Sequence, residues 1–336
     1  MSATIKLPDQ LNAENVFRFA TELDDLKGKK EVVIEMGEPR YFAPFPMLFI
    51  AMKLKSFKAL NPACETRFKQ YAGHTYAGHM GFFKMCGADF GKDVGQADGS
   101  VDYIPISRVS REELYESPSD RFEELPDLIQ RHVDRVGKII TRDDPKHREL
   151  FEIISYSVRE IFRNVFEHSE AHELYYCGQY WWKSNKLEVA IADSGIGIRQ
   201  GLGTNPNFRF DTDKEALEYS LLPGVSGKTH LPRRSETWFN SGYGLYMTNR
   251  LARHGGNFAI ASGSKAIVLT AKTKLNYDTS FPGTIIRLNF DVSKIGSVQA
   301  RLKEFGQDAK KIAASIKGTG NRPPSAMSLL LRRDYK

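Results

Sequence analysis

The chain is poor in cysteine. Its 336 residues include three, and Cys64, Cys86 and Cys177 are far apart in the sequence. An odd, scattered set of this kind argues against a disulfide framework and against a zinc site. Free thiols are typical of a reducing compartment, so the sequence predicts a cytoplasmic protein.

Long apolar runs are also lacking. The longest candidate, Pro46 to Ala51, is followed by Lys53 and Lys55 and is far shorter than the ~20 residues that span a bilayer. The first ten residues, MSATIKLPDQ, show neither the basic start nor the apolar stretch of a secretory signal. We therefore expect no contact with a membrane.

The charge balance is basic, with a formal net charge of +7. Such a balance is compatible with nucleic acid, an acidic membrane or an anionic ligand. The basic residues are spread along the chain, and only short clusters such as Arg233-Arg234 and Arg332-Arg333 occur. This spread favours a solvated, slightly basic surface, and it makes nucleic-acid binding a possible but disfavoured reading.

Strand and helix signals alternate over residues 1–100. The order predicts a small α/β domain with neighbouring parallel strands. The expected strands are Thr4–Leu7, Glu31–Glu35 and Thr66–Tyr71, and the expected helices are Asn12–Leu26, Met47–Leu60 and Met80–Cys86.

Three further regions follow. Residues 101–145 are acidic and polar and are interpreted as a partly helical connector. Residues 146–295 show one strong helix, a strand pair, a long irregular segment, a second helix and then three strands. Residues 296–336 are expected to form a C-terminal helix and a basic tail.

The strong helix, Arg148 to Ser169, carries two stripes. Glu160, Asn164 and His168 recur every four residues and form a polar stripe on one face. It runs beside an apolar stripe formed by Ile154, Val158, Ile161 and Val165. The polar stripe lies either at the rim of a cleft or on an ordinary solvated surface.

The second strand of the pair, Leu187 to Ala192, runs into Asp193-Ser194-Gly195-Ile196-Gly197-Ile198. A carboxylate at a strand end can accept a hydrogen bond from an exocyclic amine. The two glycines let the backbone approach a flat ring closely. Adenine carries such an amine where guanine has a carbonyl, so this segment is either an adenine site or a simple turn.

The second helix follows Ser241-Gly242-Tyr243-Gly244-Leu245 and ends at His254-Gly255-Gly256. Glycines at a helix start expose amide groups where the helix dipole favours an anion, which makes a phosphate cradle possible. An ordinary glycine turn is the alternative. The pattern is neither a P-loop nor a dinucleotide fingerprint.

Gly283-Thr284 opens the last strong strand, Ile285 to Phe290. The threonine hydroxyl is placed to assist Asp193 at a bound base, directly or through water. The alternative is a β-branched residue that simply suits a strand start.

In order and spacing, four of these elements resemble motifs of the Bergerat-fold ATPases, the superfamily of DNA gyrase, large heat-shock chaperones, histidine kinases and mismatch-repair ATPases. The resemblance covers about 140 residues. Its motifs are the N-box at Glu160-x-x-x-Asn164-x-x-x-His168, the G1 box at Asp193-x-Gly195-x-Gly197, the G2 box at Gly242-x-Gly244-Leu245, and the final motif at Gly283-Thr284.

The resemblance implies an α+β sandwich in which helices lie on one face of a mixed sheet and ATP lies between helices and sheet. It implies that Asn164 holds Mg²⁺, that Asp193 binds the adenine amine, and that Gly242 and Gly244 contact phosphate. Glu160 occupies the position of the general base that activates water. The full expected ATP-binding set is Asn164, His168, Asp193, Gly195, Gly197, Ile198, Ser241, Gly242, Tyr243, Gly244, Leu245 and Thr284.

Residues 199–241 would then form a lid over the nucleotide. Lys228, Arg233 and Arg234 lie in this segment. Any of the three is a candidate for reaching the γ-phosphate, against the alternative of solvated lid charges.

The strand-loop-helix Val32 to Lys55 and the helix at Gly81-Phe82-Phe83 resemble a STAS-like domain. In that family a phosphorylated serine usually starts the helix after the loop. The corresponding stretch, Tyr41 to Met47, has no serine or threonine. The resemblance therefore implies a docking or dimerisation module and not a self-phosphorylated switch.

Three functions compete. The first is a Mg²⁺-dependent regulatory ATPase whose lid closure is coupled to a protein partner or to self-association. The second is a serine protein kinase of the anti-sigma type that acts on a partner, and the third is an ATP-binding adaptor that hardly hydrolyses ATP. A histidine autokinase is disfavoured because His147 lies only 17 residues before Asn164.

Overall fold

The computed structural model describes residues 2–39, 41–114, 125–141, 144–230, 242–294, 298–316 and 319. Several predicted features lie outside these residues: Ser241, Arg233, Arg234 and Arg332-Arg333. No helix of the described part is long and apolar enough to cross a membrane. All three cysteines are free, and Cys86 and Cys177 are buried.

The first hundred residues build a three-stranded parallel sheet in the order β1-β2-β3, which confirms the predicted α/β arrangement. Helix α1 follows β1 and is capped by Asn12, whose side chain accepts from the Asn15 amide. Helix α2 follows β2 and starts earlier than predicted, because Pro44 is favourable in a first helical turn. The bounds are β1 Ser2–Lys6, α1 Ala13–Asp24, β2 Glu31–Glu35, α2 Pro44–Leu60 and β3 Glu65–Lys69.

The helix predicted over Met80–Cys86 is present but shorter, and a second short helix that was not predicted precedes it. Two short helices, α3 (Thr75–His79) and α4 (Phe82–Met85), occupy this region. Gly81 separates them in a left-handed conformation, with φ +86°, which a continuous helix does not accommodate.

The second sheet has five strands in the order β4-β5-β6-β8-β7. Every neighbouring pair is antiparallel, so the mixed sheet expected for this region is wrong. Short connections explain two of these four pairs, because β5–β6 and β7–β8 are hairpins, and hairpins join antiparallel strands. The strands are β4 Tyr103–Ser110, β5 Glu173–Trp181, β6 Lys186–Asp193, β7 Asn257–Thr270 and β8 Lys274–Asp291.

Two details of this sheet differ from expectation. Strand β4, within the predicted connector, was not foreseen, although it pairs with β5 along its length. The three expected C-terminal strands are two long ones, β7 and β8, with a change of register near Ser262 and Gly263. A bulge of this kind lets a long strand bend without ending.

The strong helix is confirmed as α7, Arg148–His168. The segment expected to be irregular contains two helices, α8 and α9, and the glycine-started helix is α10. The remaining bounds are α5 Arg111–Leu114, α6 Leu125–Thr141, α8 Gly197–Gly203, α9 Asp213–Ser220, α10 Gly244–Arg253 and α11 Val298–Ala314.

Helices α6, α7, α10 and α11 pack on one face of the five-stranded sheet and share one apolar core with it. The other face is lined by small residues, including Ala190, Ala192, Ala259 and Ala261, and packs against α1 and α2. Helix α2 is buried on nearly all sides. A single apolar cluster therefore continues from the three-stranded sheet into the five-stranded one.

A buried polar contact fixes this junction. The carboxylate of Glu188 on β6 accepts a hydrogen bond of 2.9 Å from the amide of Phe45. Phe45 lies in the first turn of α2, where helical amides lack partners within the helix and favour negative charge. Glu188 also accepts from Asn289 on β8 at 3.3 Å.

Candidate functional site

One cleft lies between α7, the end of β6, the segment 197–227 and the start of α10. Its empty volume is about 910 Å³, including the solvent at its mouth. Most of the predicted site residues line it: Glu160, Asn164, His168, Asp193, Gly197, Ile198, Gly242, Gly244, Leu245 and Thr284. Gly195 and Tyr243 are not in its lining, and Ser241 is outside the described residues.

Asp193 closes one end of the cleft as the last residue of β6. Its side chain is 3% exposed, and Oδ1 accepts from the Gly195 amide at 2.8 Å. Burial raises the pKa of Asp193 to about 7, although hydrogen bonds from Gly195, Ser169 and Thr284 oppose the shift. A buried carboxyl facing a cleft is suited to recognising a hydrogen-bond donor of a ligand.

The two glycines after Asp193 have separate structural roles. A Cβ on Gly195 would lie 2.0 Å from the Ser169 carbonyl oxygen, so glycine lets the loop pass close to the end of α7. Gly197 has φ +75°, which disfavours any side chain there. The loop thus depends on glycine at both positions, although only Gly197 lines the cleft.

Sequence reasoning did not identify Ser262. This residue on β7 is 3% exposed, and its hydroxyl accepts from the Ile198 amide at 3.0 Å. It donates to the Gly283 carbonyl at 2.7 Å and lies 3.4 Å from the Thr284 hydroxyl. An isolated serine in an apolar strand gave no signal, because its partners are distant in sequence.

Asn164 and His168 lie in the cleft wall on successive turns of α7. The side-chain amide of Asn164 makes no hydrogen bond with any residue of the described part, so its oxygen is available to a ligand. Burial lowers the pKa of His168 to about 4, and Lys228 and Arg163 add to the shift. His168 is therefore neutral at pH 7.

Glu160 is also buried, at 4% exposed. Its Oε1 lies 3.5 Å from Nη1 of Arg163 and 3.8 Å from Nε of Arg159. Arg163 also pairs with Glu167 at 3.1 Å. Burial alone would lower the pKa of Arg163, but Glu160 and Glu167 raise it above its usual value. The cleft wall thus holds a fixed ionic cluster that the polar stripe alone did not predict.

The start of α10 forms the opposite wall. Gly242 has φ +74°, and a Cβ there would lie 2.7 Å from the backbone carbon of Gly224. A hydrogen bond of 3.1 Å from the Gly224 amide to the Gly242 carbonyl joins the two segments. Tyr243 is fully buried in the apolar core and supports the turn from behind.

Lys228, the one of the three candidate lid cations that lies within the described residues, turns toward α7. Its ammonium group donates to the carbonyl oxygen of Glu167, near the helix C-terminus. Cations are favoured at that end of a helix by the helix dipole.

Comparison of the chain with models of protein families and with curated proteins gave no match. Within the described residues, no group of three or more His, Cys, Asp or Glu side chains is placed to hold a metal ion.

Proposed function

We propose that this protein is a Mg²⁺-dependent, ATP-binding regulatory ATPase of the Bergerat type, preceded by a STAS-like docking layer. The observation that carries the proposal is the cleft itself. It brings together residues from four segments that are far apart in sequence: Asn164, Asp193, Gly244 and Thr284. A shared cleft is what a common ligand requires.

Two features of the cleft lining suit different parts of ATP. The buried carboxyl of Asp193 supports recognition of the adenine amine. The start of α10, with Gly242 and Gly244 in the lining, supports binding of phosphate, because helix N-termini attract anions. The presence of both features in the lining of one cleft favours a nucleotide over an isolated anion.

Asn164 fits the role of a magnesium ligand. Mg²⁺ prefers oxygen ligands, keeps several waters and takes few ligands from protein side chains besides substrate phosphates, so a single side-chain amide oxygen is compatible with such a site. The amide lines the cleft, and no residue of the described part competes for it. When bound there, the ion would neutralise charge on the phosphates.

Glu160 is proposed as the general base of hydrolysis. It would accept the proton of a water whose oxygen bonds to the γ-phosphorus, and ADP would leave. A second candidate, an adaptor that binds ATP without turnover, is favoured by one observation. Arg163 and Arg159 both engage Oε1 of Glu160, and these ion pairs compete with a water for that oxygen.

The lid segment is proposed to couple nucleotide binding to a protein partner or to a second copy of the chain. The Gly224 amide already bonds to Gly242 at the proposed phosphate end. A phosphate bound at α10 would therefore act on the lid segment through this hydrogen bond.

Incubation with γ-labelled ATP separates the candidate functions. A regulatory ATPase releases labelled phosphate, and Glu160→Gln reduces the release while retaining ATP binding. An adaptor binds ATP with no release, and a trans-acting kinase transfers label to an added partner protein. If the purified protein does not bind ATP in the presence of Mg²⁺, the proposal is wrong.

A further inference from the structure

Strand β7 contains a bulge at Ser262-Gly263-Ser264, beside the cleft. The pairing of β7 with β8 changes register on both sides of Gly263. Gly263 has φ +60°, a conformation that favours glycine. Bulges re-aim the side chains next to them, and here the two serines reach different parts of the protein.

The Ser262 hydroxyl uses its full hydrogen-bonding capacity. It donates to the Gly283 carbonyl and lies within hydrogen-bond distance of the Ile198 amide and the Thr284 hydroxyl. A hydroxyl offers one donor and two acceptor sites, so none is left for another partner. These three contacts join β7, β8 and the loop after Asp193.

Close packing makes this junction rigid. A Cβ on Gly197 would lie 2.8 Å from Oγ of Ser262, and a Cβ on Gly283 would lie 2.2 Å from the Asp193 carbonyl oxygen. The Ser262 hydroxyl therefore contacts Gly283, and Gly283 in turn contacts the backbone of Asp193. Movement of the loop would break hydrogen bonds inside a buried site.

Ser264, two residues later, binds the lid segment. Its amide and hydroxyl donate to Oδ2 of Asp213 at 2.8 and 2.7 Å. Asp213 is the first residue of α9. A Cβ on Gly263 would lie 2.4 Å from the same carboxylate oxygen, so the bulge needs glycine for this approach.

We propose that the bulge sets the position of the adenine-recognition loop through Ser262 and of lid helix α9 through Ser264. Ser262 is a positioning residue for base selection, since it acts through the loop that carries Asp193. This inference rests on the proposed ATP-binding function. It assigns the two effects to separate residues of one bulge, so the contribution of each hydroxyl can be removed by a separate substitution.

Binding of ATP and of inosine triphosphate, which has a carbonyl in place of the adenine amine, tests the base-selection half. The wild type is expected to prefer ATP. Ser262→Ala leaves the partly buried Ile198 amide without its acceptor and should weaken ATP binding about tenfold. Binding of inosine triphosphate should weaken less, so the preference falls. Ser262→Thr keeps the hydroxyl and should keep most of the preference.

Ser264→Ala is the matched control on the same bulge. It should leave the preference for ATP unchanged and increase hydrogen exchange of the α9 amides, whereas Ser262→Ala should leave that exchange near the wild-type level. Thermal unfolding of each variant checks that the fold is intact.

The outcomes separate the two proposals. If the wild type binds neither nucleotide, the proposed function fails. The second outcome is that the wild type prefers ATP and Ser262→Ala weakens binding of both nucleotides equally. The hydroxyl then serves only stability, and the inference about base selection is overturned. Unchanged exchange of α9 in Ser264→Ala would overturn the inference about the lid.

Discussion

A Cβ atom on Gly244 would lie 2.1 Å from Oε2 of Glu160. The first residue of α10 and the middle of α7 are therefore in contact through a glycine and a carboxylate, with no space between them. This contact places the proposed general base directly beside the proposed phosphate cradle. Glycine at position 244 thus has a packing role in addition to any exposure of its amide.

Gly244→Ala should displace the Glu160 carboxylate and narrow the phosphate end of the cleft. We expect ATP affinity to fall by about tenfold or more, because the displaced carboxylate must leave its arginine partners or push α10 away. Titration with a fluorescent ATP analogue measures the effect. Gly203→Ala is the matched control, since a Cβ at Gly203 meets no atom within 4 Å. Equal affinities in the two variants would contradict the contact.

Asn164→Ala should weaken binding of Mg²⁺-ATP about tenfold. Binding of ATP without Mg²⁺, measured in excess chelator, should weaken less. Removal of this side chain costs the free protein no hydrogen bond within the described residues. The midpoint of thermal unfolding without nucleotide should therefore stay within about 2 °C of the wild type. Isothermal titration with and without Mg²⁺ measures the difference, and an equal loss in both conditions would remove Asn164 from the metal site.

Glu188→Ala should destabilise both sheets together. It leaves the buried Phe45 amide without an acceptor, which costs about 1–3 kcal/mol in the free energy of unfolding. Because one apolar cluster joins the two sheets, we expect a single urea transition for both the wild type and the variant. Glu188→Gln keeps an oxygen acceptor, so its free energy of unfolding should fall less than that of Glu188→Ala. Two separate transitions in the wild type would show that the sheets fold independently.

Local periodicity predicted much of the fold. Helix α7 and the parallel sheet of the first hundred residues follow from patterns that lie within each element. Strand β4 was missed because its pairing with β5 is about 70 residues distant, and the strand propensity of a short stretch is a weak guide. The packing of α2 against β6, which carries Ala190 and Ala192, was likewise not predictable, since alanines in a strand carry no signal for their partner.

In the candidate site, too, local motifs were predictable and long-range contacts were not. Residues that stand in spaced motifs, such as Asp193 and Gly244, could be named from the sequence. Ser262 and Arg163 could not, because each acts through contacts that only the folded chain creates. Long-range hydrogen bonds between single residues produce no periodic pattern in the sequence.

The stability of the protein should show two opposing pH dependences from the cleft. His168 has a lowered pKa of about 4, so between pH 4 and 6.5 the unfolded chain binds a proton that the folded one does not. This group raises the free energy of unfolding as pH increases through that window. His168→Gln should remove this contribution. Urea unfolding at pH 5 and 7 measures it, with the wild-type profile as reference, and an unchanged slope would contradict the assignment.

Asp193 should contribute the opposite slope and should make ATP binding depend on pH. Its pKa of about 7 means that the folded state holds a proton between about pH 4 and 7 that the unfolded state releases. The free energy of unfolding therefore falls as pH rises through this window. The ionised carboxylate is the stronger acceptor for the adenine amine, so ATP affinity should rise toward pH 7 and level off above it.

The measurement is the dissociation constant of ATP from pH 5.5 to 8.5. Below pH 7 we expect the affinity to change by up to about tenfold per pH unit, as for one ionising group. Asp193→Asn should bind ATP more weakly and lose this dependence. Because ATP also titrates, the asparagine variant supplies the baseline for the nucleotide's own protonation. An ATP affinity in Asp193→Asn equal to the wild type at pH 8 would place the adenine elsewhere.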